Sequence, residues 1–388
     1  MPSATGIRGT GNLGVSRKYD IADVISLLDV NRYPLLAILT NAGKDPVTNQ
    51  GKAMKKRETT DPTFKWFEDE YGKRKLTGSG TVDPDGGNLT ITGQSQYCQV
   101  GDVVLVALQK WVFEVTAIVD ANTVTVGAEK GGATGAAASA VGDVWIIGNV
   151  NEEGAGLRDI KTTTISQPYN YCQIFRTPIG VTETARNTKG WTKENDFDYQ
   201  RRKKAIEHMI DIERAFIFGK RNEDTSGTHP KRFTDGMIDK ISTYATANVD
   251  TEAEFESWLE SAFAHGNVEK YLFAAAAVIS MVNSWAKGKL QVVDKAKAYG
   301  LQIIDYISPH GLVHMIKHPL LAGTTYGNYA VMTDMEALTY CYLSNRDTKL
   351  LTNRQAPGED SRVDEYLTEC GLQMEQESRH AIMSKAAL

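Results

Sequence analysis

The sequence predicts an α+β protein with a small all-β module set inside it. Three observations lead there. Residues 81–148 read as almost pure β structure, the segments on either side are polar and extended, and beyond Gly190 the chain becomes strongly helical. The 388 residues allow two or three domains with ample core.

Charge follows the same division. The chain carries a net charge of −5, and residues 81–148 account for it with seven acids and two bases, leaving the remainder balanced. Residues 1–60 hold nine bases and five acids. This is not the basic stripe of a nucleic-acid binder. It fits a protein with one face toward a polyanion and another toward solvent. No run approaches the ~18–20 apolar residues of a membrane span. The Gly-rich start of the chain lacks the apolar stretch of a secretory signal. Cys98, Cys172, Cys341 and Cys370 are far apart and include no CxxC pair, which suggests neither a zinc site nor a disulfide framework and suits a reducing compartment.

Taken in order, residues 1–19 form an extended arm. Asp20 caps a helix to Val30 with Ile21, Val24, Ile25 and Leu28 on one face. Pro34 then opens a second apolar turn through Leu39, since proline is tolerated in a first helical turn. Residues 51–80 are highly charged and interleave Phe64, Trp66 and Phe67. In the module, strand-like runs at 89–92, 100–107, 111–119, 123–126 and 144–147 are separated by Gly and Asp turns. Val100-Gly-Asp and Val141-Gly-Asp echo one another as turns feeding strands. Residues 149–177 are polar again and read as a return arm; paired with 51–80 they would make one long hairpin with the module near its tip.

Thr192 is placed to cap the longest helix, 193–218, with Tyr199, Ile206, Met209, Ile210, Phe216 and Ile217 on its apolar stripe and Gly219 as its stop. At the α-helical rise it spans ~39 Å. Residues 236–343 read as α/β, with helices at 251–264 and 274–287 and strands at 270–273, 301–307, 312–317, 329–333 and 338–343. Residues 362–375 form a strand or a strand pair broken at Gly371.

Candidate chemistry is sparse. His310, His314 and His318 are spaced by four, but Pro309, Gly311 and Pro319 forbid a helix, and on a strand neighbours would lie ~13 Å apart. There is no GxSxG, Walker loop or strand-preceded GxGxxG. Cys172 and Cys341 are the candidates for a Cys-dependent hydrolase. Glu68, Asp69, Glu70, Glu152 and Glu153 lie in arms without an apolar pocket to shift a pKa. Lys52, Lys55, Lys56 and Arg57 form a basic cluster that reads equally as a contact with nucleic acid or an acidic neighbour and as a solvated strand. Phe64, Trp66 and Phe67 are aromatics in a polar arm and call for a partner surface, in this chain or another. No cofactor or metal is expected, and no enzymatic activity.

Four stretches together resemble the major capsid proteins of tailed bacteriophages with the Hong Kong ninety-seven type fold, in a subfamily with a β insertion in the extended loop. They are Asp20-Ile-Ala-Asp-Val-Ile25 with Tyr33-Pro-Leu-Leu36; the module motifs around Val100, Glu114 and Asn122, closing at Ile146-Ile-Gly-Asn149 and Glu152-Glu-Gly154; Glu207-His-Met-Ile-Asp-Ile-Glu213 with Phe218-Gly219; and Asn345-Arg-Asp347 with Glu365-Tyr-Leu-Thr-Glu-Cys-Gly-Leu372 and His380. The order they share is more specific than any one of them.

The resemblance implies an N-terminal arm at 1–50, an extended loop at 51–80 and 149–177, and an insertion domain at 81–148. It implies a peripheral domain at 178–235 and 344–388 with spine helix 193–218, and an axial domain at 236–343. It implies self-assembly through hexamers and pentamers into an icosahedral shell around double-stranded DNA, with scaffolding, portal and decoration proteins as partners. The virion is the expected location, after assembly in the host bacterial cytoplasm. Lys55, Lys56, Arg57, Phe64, Trp66, Phe67, Glu152 and Glu153 are the expected inter-subunit contacts. The short arm suggests that any scaffold is a separate protein. No lysine–asparagine crosslink can be matched residue by residue. A cellular encapsulin-like nanocompartment shell is the structural alternative, and the hydrolase is the enzymatic one.

Overall fold

A computed structural model of the chain describes residues 34–36, 55–133, 135–138, 140–188, 196–285 and 303–386. The arm at 1–19, the helix at 20–30 and the start of the long helix at 193–195 lie outside them. The chain divides into two compact units, Phe67–Gln167 and the remainder, Met1–Trp66 with Pro168–Leu388.

The smaller unit is a closed barrel of six strands, Lys75–Ser79, Gly87–Ile91, Thr123–Val126, Trp111–Ile118, Asp102–Val106 and Gly142–Asn149 in spatial order. Alternation builds it. Leu89 and Ile91, Val104 and Val106, Phe113 and Val115, Val124 and Val126, and Val144 and Ile146 all point inward and are buried. Trp145 and Ile147 alternate with the last pair and are exposed. Closure leaves no free sheet edge.

The barrel starts earlier than the sequence suggests. Its first strand, Lys75–Ser79, lies in the stretch that reads as polar arm, since it supplies only Leu76 to the core. Gly78 completes the fit: a Cβ there would come within 2.3 Å of Val141 Cγ1, so the valines pack directly on backbone.

The long-hairpin reading of the two arms is also corrected. Pairing is confined to Thr63–Lys65 with Tyr169–Tyr171 and to one bridge, Glu68 with Ser166. No ladder forms across 69–74 and 151–165. The return arm is tied to the barrel instead, through Arg158 on the Val100 carbonyl and Asp102 and Lys161 on the Cys98 carbonyl.

Among the described residues the larger unit holds two large sheets and two short strand pairs, Asn222–Asp224 with Lys231–Phe233 and Thr63–Lys65 with Tyr169–Tyr171. The first large sheet runs Lys55–Thr59, Leu338–Leu343, Ser361–Met374, Gln173–Thr182, with Lys349–Leu351 also on Ser361–Met374. The second runs Ala245–Thr246, Ala381–Ser384, Tyr329–Thr333, Glu269–Ala274, Leu312–Lys317, Ile303–Ile307. The long helix, Asp196–Phe218, buries Ile212, Phe216 and Ile217 in a core shared with Leu35, Leu36, Tyr340 and Leu372. A second core gathers Phe255, Trp258 and Leu259 of helix Glu252–Ala262 and Val278 and Val282 of helix Ala276–Trp285 onto Leu272 and Val313. A capping box of Thr251 and Glu254 starts the first of these helices.

Gly371 does not break its strand. Ser361–Met374 continues through it, and a Cβ at 371 would meet the Tyr171 carbonyl at 2.5 Å and Phe64 Cε1 at 2.7 Å. The glycine admits a close approach of backbone and ring to the strand. Gly219 closes the long helix in a similarly tight place, accepting a hydrogen bond from the Gly236 N–H at 3.0 Å.

Candidate assembly surfaces and buried polar centres

The basic cluster is drawn into the first sheet. Lys55–Thr59 lies parallel to Leu338–Leu343 as an edge strand. Lys55 is exposed, while Lys56 pairs with Asp347 and sits 5.5 and 4.9 Å from the ring centroids of Tyr340 and Tyr342. Arg57 donates to the Lys65 carbonyl at 3.4 Å. Two of the three expected contact cations are therefore engaged within the chain. Lys52 lies outside the described residues.

Phe64 and Trp66 find their partner surface at home. They stack at 6.1 Å, bury to 3% and 7% exposure, and form a small cluster with Cys172 and Cys341. The expectation that they meet a neighbouring subunit is corrected: the strand pair Thr63–Lys65 and Tyr169–Tyr171 folds Phe64 over Gly371 and leaves neither ring a free face. Phe67 is different, at 74% exposure. Glu152 and Glu153 are exposed as well.

The arms of the smaller unit carry further apolar side chains that the sequence reading passed over. Tyr71, Leu157, Ile160 and Ile165 are exposed, Leu157 and Ile160 almost completely. Their signal was the one used for Phe67, an apolar residue in a polar stretch with nothing local to pack on. The return arm is not loose where it carries them. Arg158 donates to the Val100 carbonyl and to Asp102 Oδ1, both at 2.8 Å; Gln99 donates to the Asp159 carbonyl at 2.9 Å, and Lys161 to the Cys98 carbonyl at 3.1 Å. Side chains strap this segment to the barrel rim while Leu157 and Ile160 stay in solvent.

The histidines do not converge. Leu312–Lys317 is a strand, as the alternation suggests, and among the described residues no group of His, Cys, Asp and Glu could hold a metal. Instead each buried histidine has its own partner. His314 Nδ1 lies 2.7 Å from Asp305, directly opposite it in the neighbouring strand. His318 Nε2 lies 2.6 Å from Glu213 on the long helix, and His208 bridges Thr177 and Thr368 at 2.8 and 2.7 Å. Lys270, wholly buried, donates to the carbonyls of Ala262, His265 and Arg379 at 2.6, 2.7 and 2.7 Å, and burial lowers its pKa to about 8. Three carbonyls use all three ammonium hydrogens, so this lysine fastens a helix end rather than serving as a nucleophile.

The thiols are equally inert. Burial pushes Cys172 up to about 11 and Cys341 up to about 12. A nucleophilic cysteine needs thiolate character and access, and these side chains have neither.

Comparison with known proteins places the chain. The family model of the SU10 major capsid protein matches residues 4–387. A major capsid protein of Pseudomonas phage PaMx41 is 23% identical over 260 residues, covering 63% of this chain and 62% of that protein. A solved chain from Microbacterium phage Oxtober96 superposes with a TM-score of 0.50 at 8% identity, over 97% of this chain and 99% of the other. The capsid of a native GTA particle gives 0.49 at 9% identity, over 97% and 98%.

Proposed function

The chain belongs to the SU10 major capsid protein family, and from that membership we propose that it is a structural subunit that self-assembles into the icosahedral shell of a tailed phage around its double-stranded DNA. The observation that carries this is the family match, which runs through both units and leaves almost none of the chain outside it. The fold is the phage-capsid fold that the four sequence stretches suggested, shared with the Oxtober96 chain.

On this reading residues 178–235 and 344–388 form the peripheral domain around the spine helix. Residues 236–343 form the axial domain that meets its copies in pentamers and hexamers, and 1–50 the arm. The extended loop narrows to the stretches near 67–74 and 150–167, since Lys55–Thr59 and Thr63–Lys65 are held in the larger unit. Phe67, Tyr71, Leu157, Ile160 and Ile165 are its apolar contacts with neighbouring subunits, with Lys55, Glu152 and Glu153 as charged contacts beside them. The barrel forms the insertion domain; its acidity supports a place on the outer surface, away from packaged DNA, where a decoration protein could reach it. Scaffolding and portal proteins complete the assembly in the host cytoplasm, and the virion is where the protein resides.

Negative-stain microscopy of the purified protein tests the core of this. Closed shells are expected, and particles from the host are expected to contain DNA. A monomer stable at every concentration, with no host particle containing it, overturns the proposal; shells filled with a cargo protein would redirect it to a cellular nanocompartment.

A further inference from the structure

Pro34–Leu36 forms a helical turn whose two leucines, 0% and 2% exposed, sit in the core beside Ile212, Phe216 and Ile316. Pro34 has no N–H, and the amides that follow are first-turn donors without an intrahelical acceptor. Both end on one side chain from a remote part of the sequence. The Leu35 N–H donates to Glu213 Oε1 and the Leu36 N–H to Oε2, each at 3.1 Å. A third donor completes the set: His318 Nε2 lies 2.6 Å from Oε1. The Leu320 N–H donates to His318 Nδ1 at 3.2 Å, which leaves the ring proton on Nε2, pointing at the carboxylate. Glu213 and His318 are both without exposed side-chain surface.

Two features make this contact separable from the rest of the fold. Pro34–Leu36 belongs to no sheet ladder, so its departure breaks none. The space that two leucines vacate would admit water to Glu213, so the carboxylate would exchange two amides for solvent instead of being stranded dry. Burial pushes the Glu213 carboxyl up, while the hydrogen bonds from His318, Leu36 and Leu35 pull it down.

We propose that Glu213 and His318 form a carboxylate latch on the N-terminal segment: it holds Pro34–Leu36 in the core and lets that turn leave while both sheets of the unit stay folded. The latch is a property of the single chain and is tested independently of the shell reading.

Native-state hydrogen exchange on the full chain is the test. In the wild type, the Leu35 and Leu36 amides should exchange through an opening that spares the amides of Glu269–Ala274 and Ser361–Met374. In Glu213→Gln, which puts an amide NH₂ where an acceptor is needed, Leu35 and Leu36 should exchange about tenfold to a hundredfold faster, with the strand amides unchanged. Equal protection of the turn and the strands in the wild type overturns the proposal. So does unchanged exchange of Leu35 and Leu36 in a folded Glu213→Gln. If that variant fails to fold, the wild-type comparison of turn and strands decides alone.

Discussion

Among the described residues the barrel buries two polar side chains, Ser95 and Asp102, whereas the larger unit buries acids, histidines and a lysine, with Glu213, Asp334, Asp364, His314, His318, His380 and Lys270 among them. The barrel closes strands that lie near one another in sequence, and simple alternation suffices for that. The larger unit must bring together segments from distant parts of the chain. Many of its junctions carry a charged pair: Arg201 donates to Asp364 at 2.8 Å, Arg379 to Asp334 at 2.6 Å, and Arg176 to Glu365 at 2.9 Å. An apolar contact tolerates many partners. A buried charge tolerates few, because leaving it alone costs several kcal/mol. The two regions thus define their folds by different means, shape in one and matched polar partners in the other.

The sharpest way to break this contrast is Phe113→Ala. Phe113 is wholly buried and meets Trp111 edge to face. Its loss should cost the barrel about 3–5 kcal/mol and leave the larger unit unmoved. Calorimetry should show one transition shifted and the other in place; if both shift together, the units are energetically one and the contrast fails.

Acid should act in the opposite sense. All seven histidines lie in the larger unit and none in the barrel. Burial lowers the His380 pKa from its usual 6.5 to about 4. As pH falls the unfolded chain takes up this proton first, so the stabilisation is intact above about 6.5 and is lost progressively toward 4, by roughly 3–3.5 kcal/mol at most. Urea midpoints at neutral pH and near pH 4.5 should fall for the larger unit, and His380→Phe should flatten that dependence. A barrel that loses as much as its host would contradict the contrast.

The smallest effect is expected at Lys130, whose ammonium lies 3.0 Å from Glu114 on the barrel surface with both groups solvated. Lys130→Ala should change barrel stability by under about 0.5 kcal/mol. A larger loss by chemical denaturation would mean that the barrel, too, depends on charge.

The same contrast explains what could be read from the sequence. Thr123–Val126 and Trp111–Ile118 were legible from alternation and turn residues alone. In the larger unit Tyr329–Thr333 and Leu338–Leu343 were legible as short, mostly apolar runs, buried on both faces. What was hidden depends on long-range contacts. Lys55–Thr59 reads as a charged tract and becomes a strand only against Leu338–Leu343. Gly371 reads as a break until Tyr171 and Phe64 are seen above it. Nothing near Glu213 announces that its carboxylate serves Leu35 and Leu36. For the contact surfaces, Phe67 was legible as a stranded aromatic, but the same signal misplaced Phe64 and Trp66, because their cover comes from Cys172 and Cys341. Tyr71, Leu157 and Ile160 carry the same signal as Phe67, and the absence of a ladder between the arms is what leaves them exposed.

The pairing of Lys55–Thr59 with Leu338–Leu343 also sets a timetable. Every barrel strand has been synthesised once Asn149 has emerged, and closing loops that short is fast. Lys55–Thr59 has no sheet to join until Leu338–Leu343 emerges, and Gln173–Thr182 has none until Ser361–Met374 follows. During synthesis the barrel should therefore be folded while the host still shows open edges, which is the condition that invites mispairing between nascent chains. A polysome carrying many nascent copies side by side would meet this hazard at the sheets of the larger unit and not at the barrel.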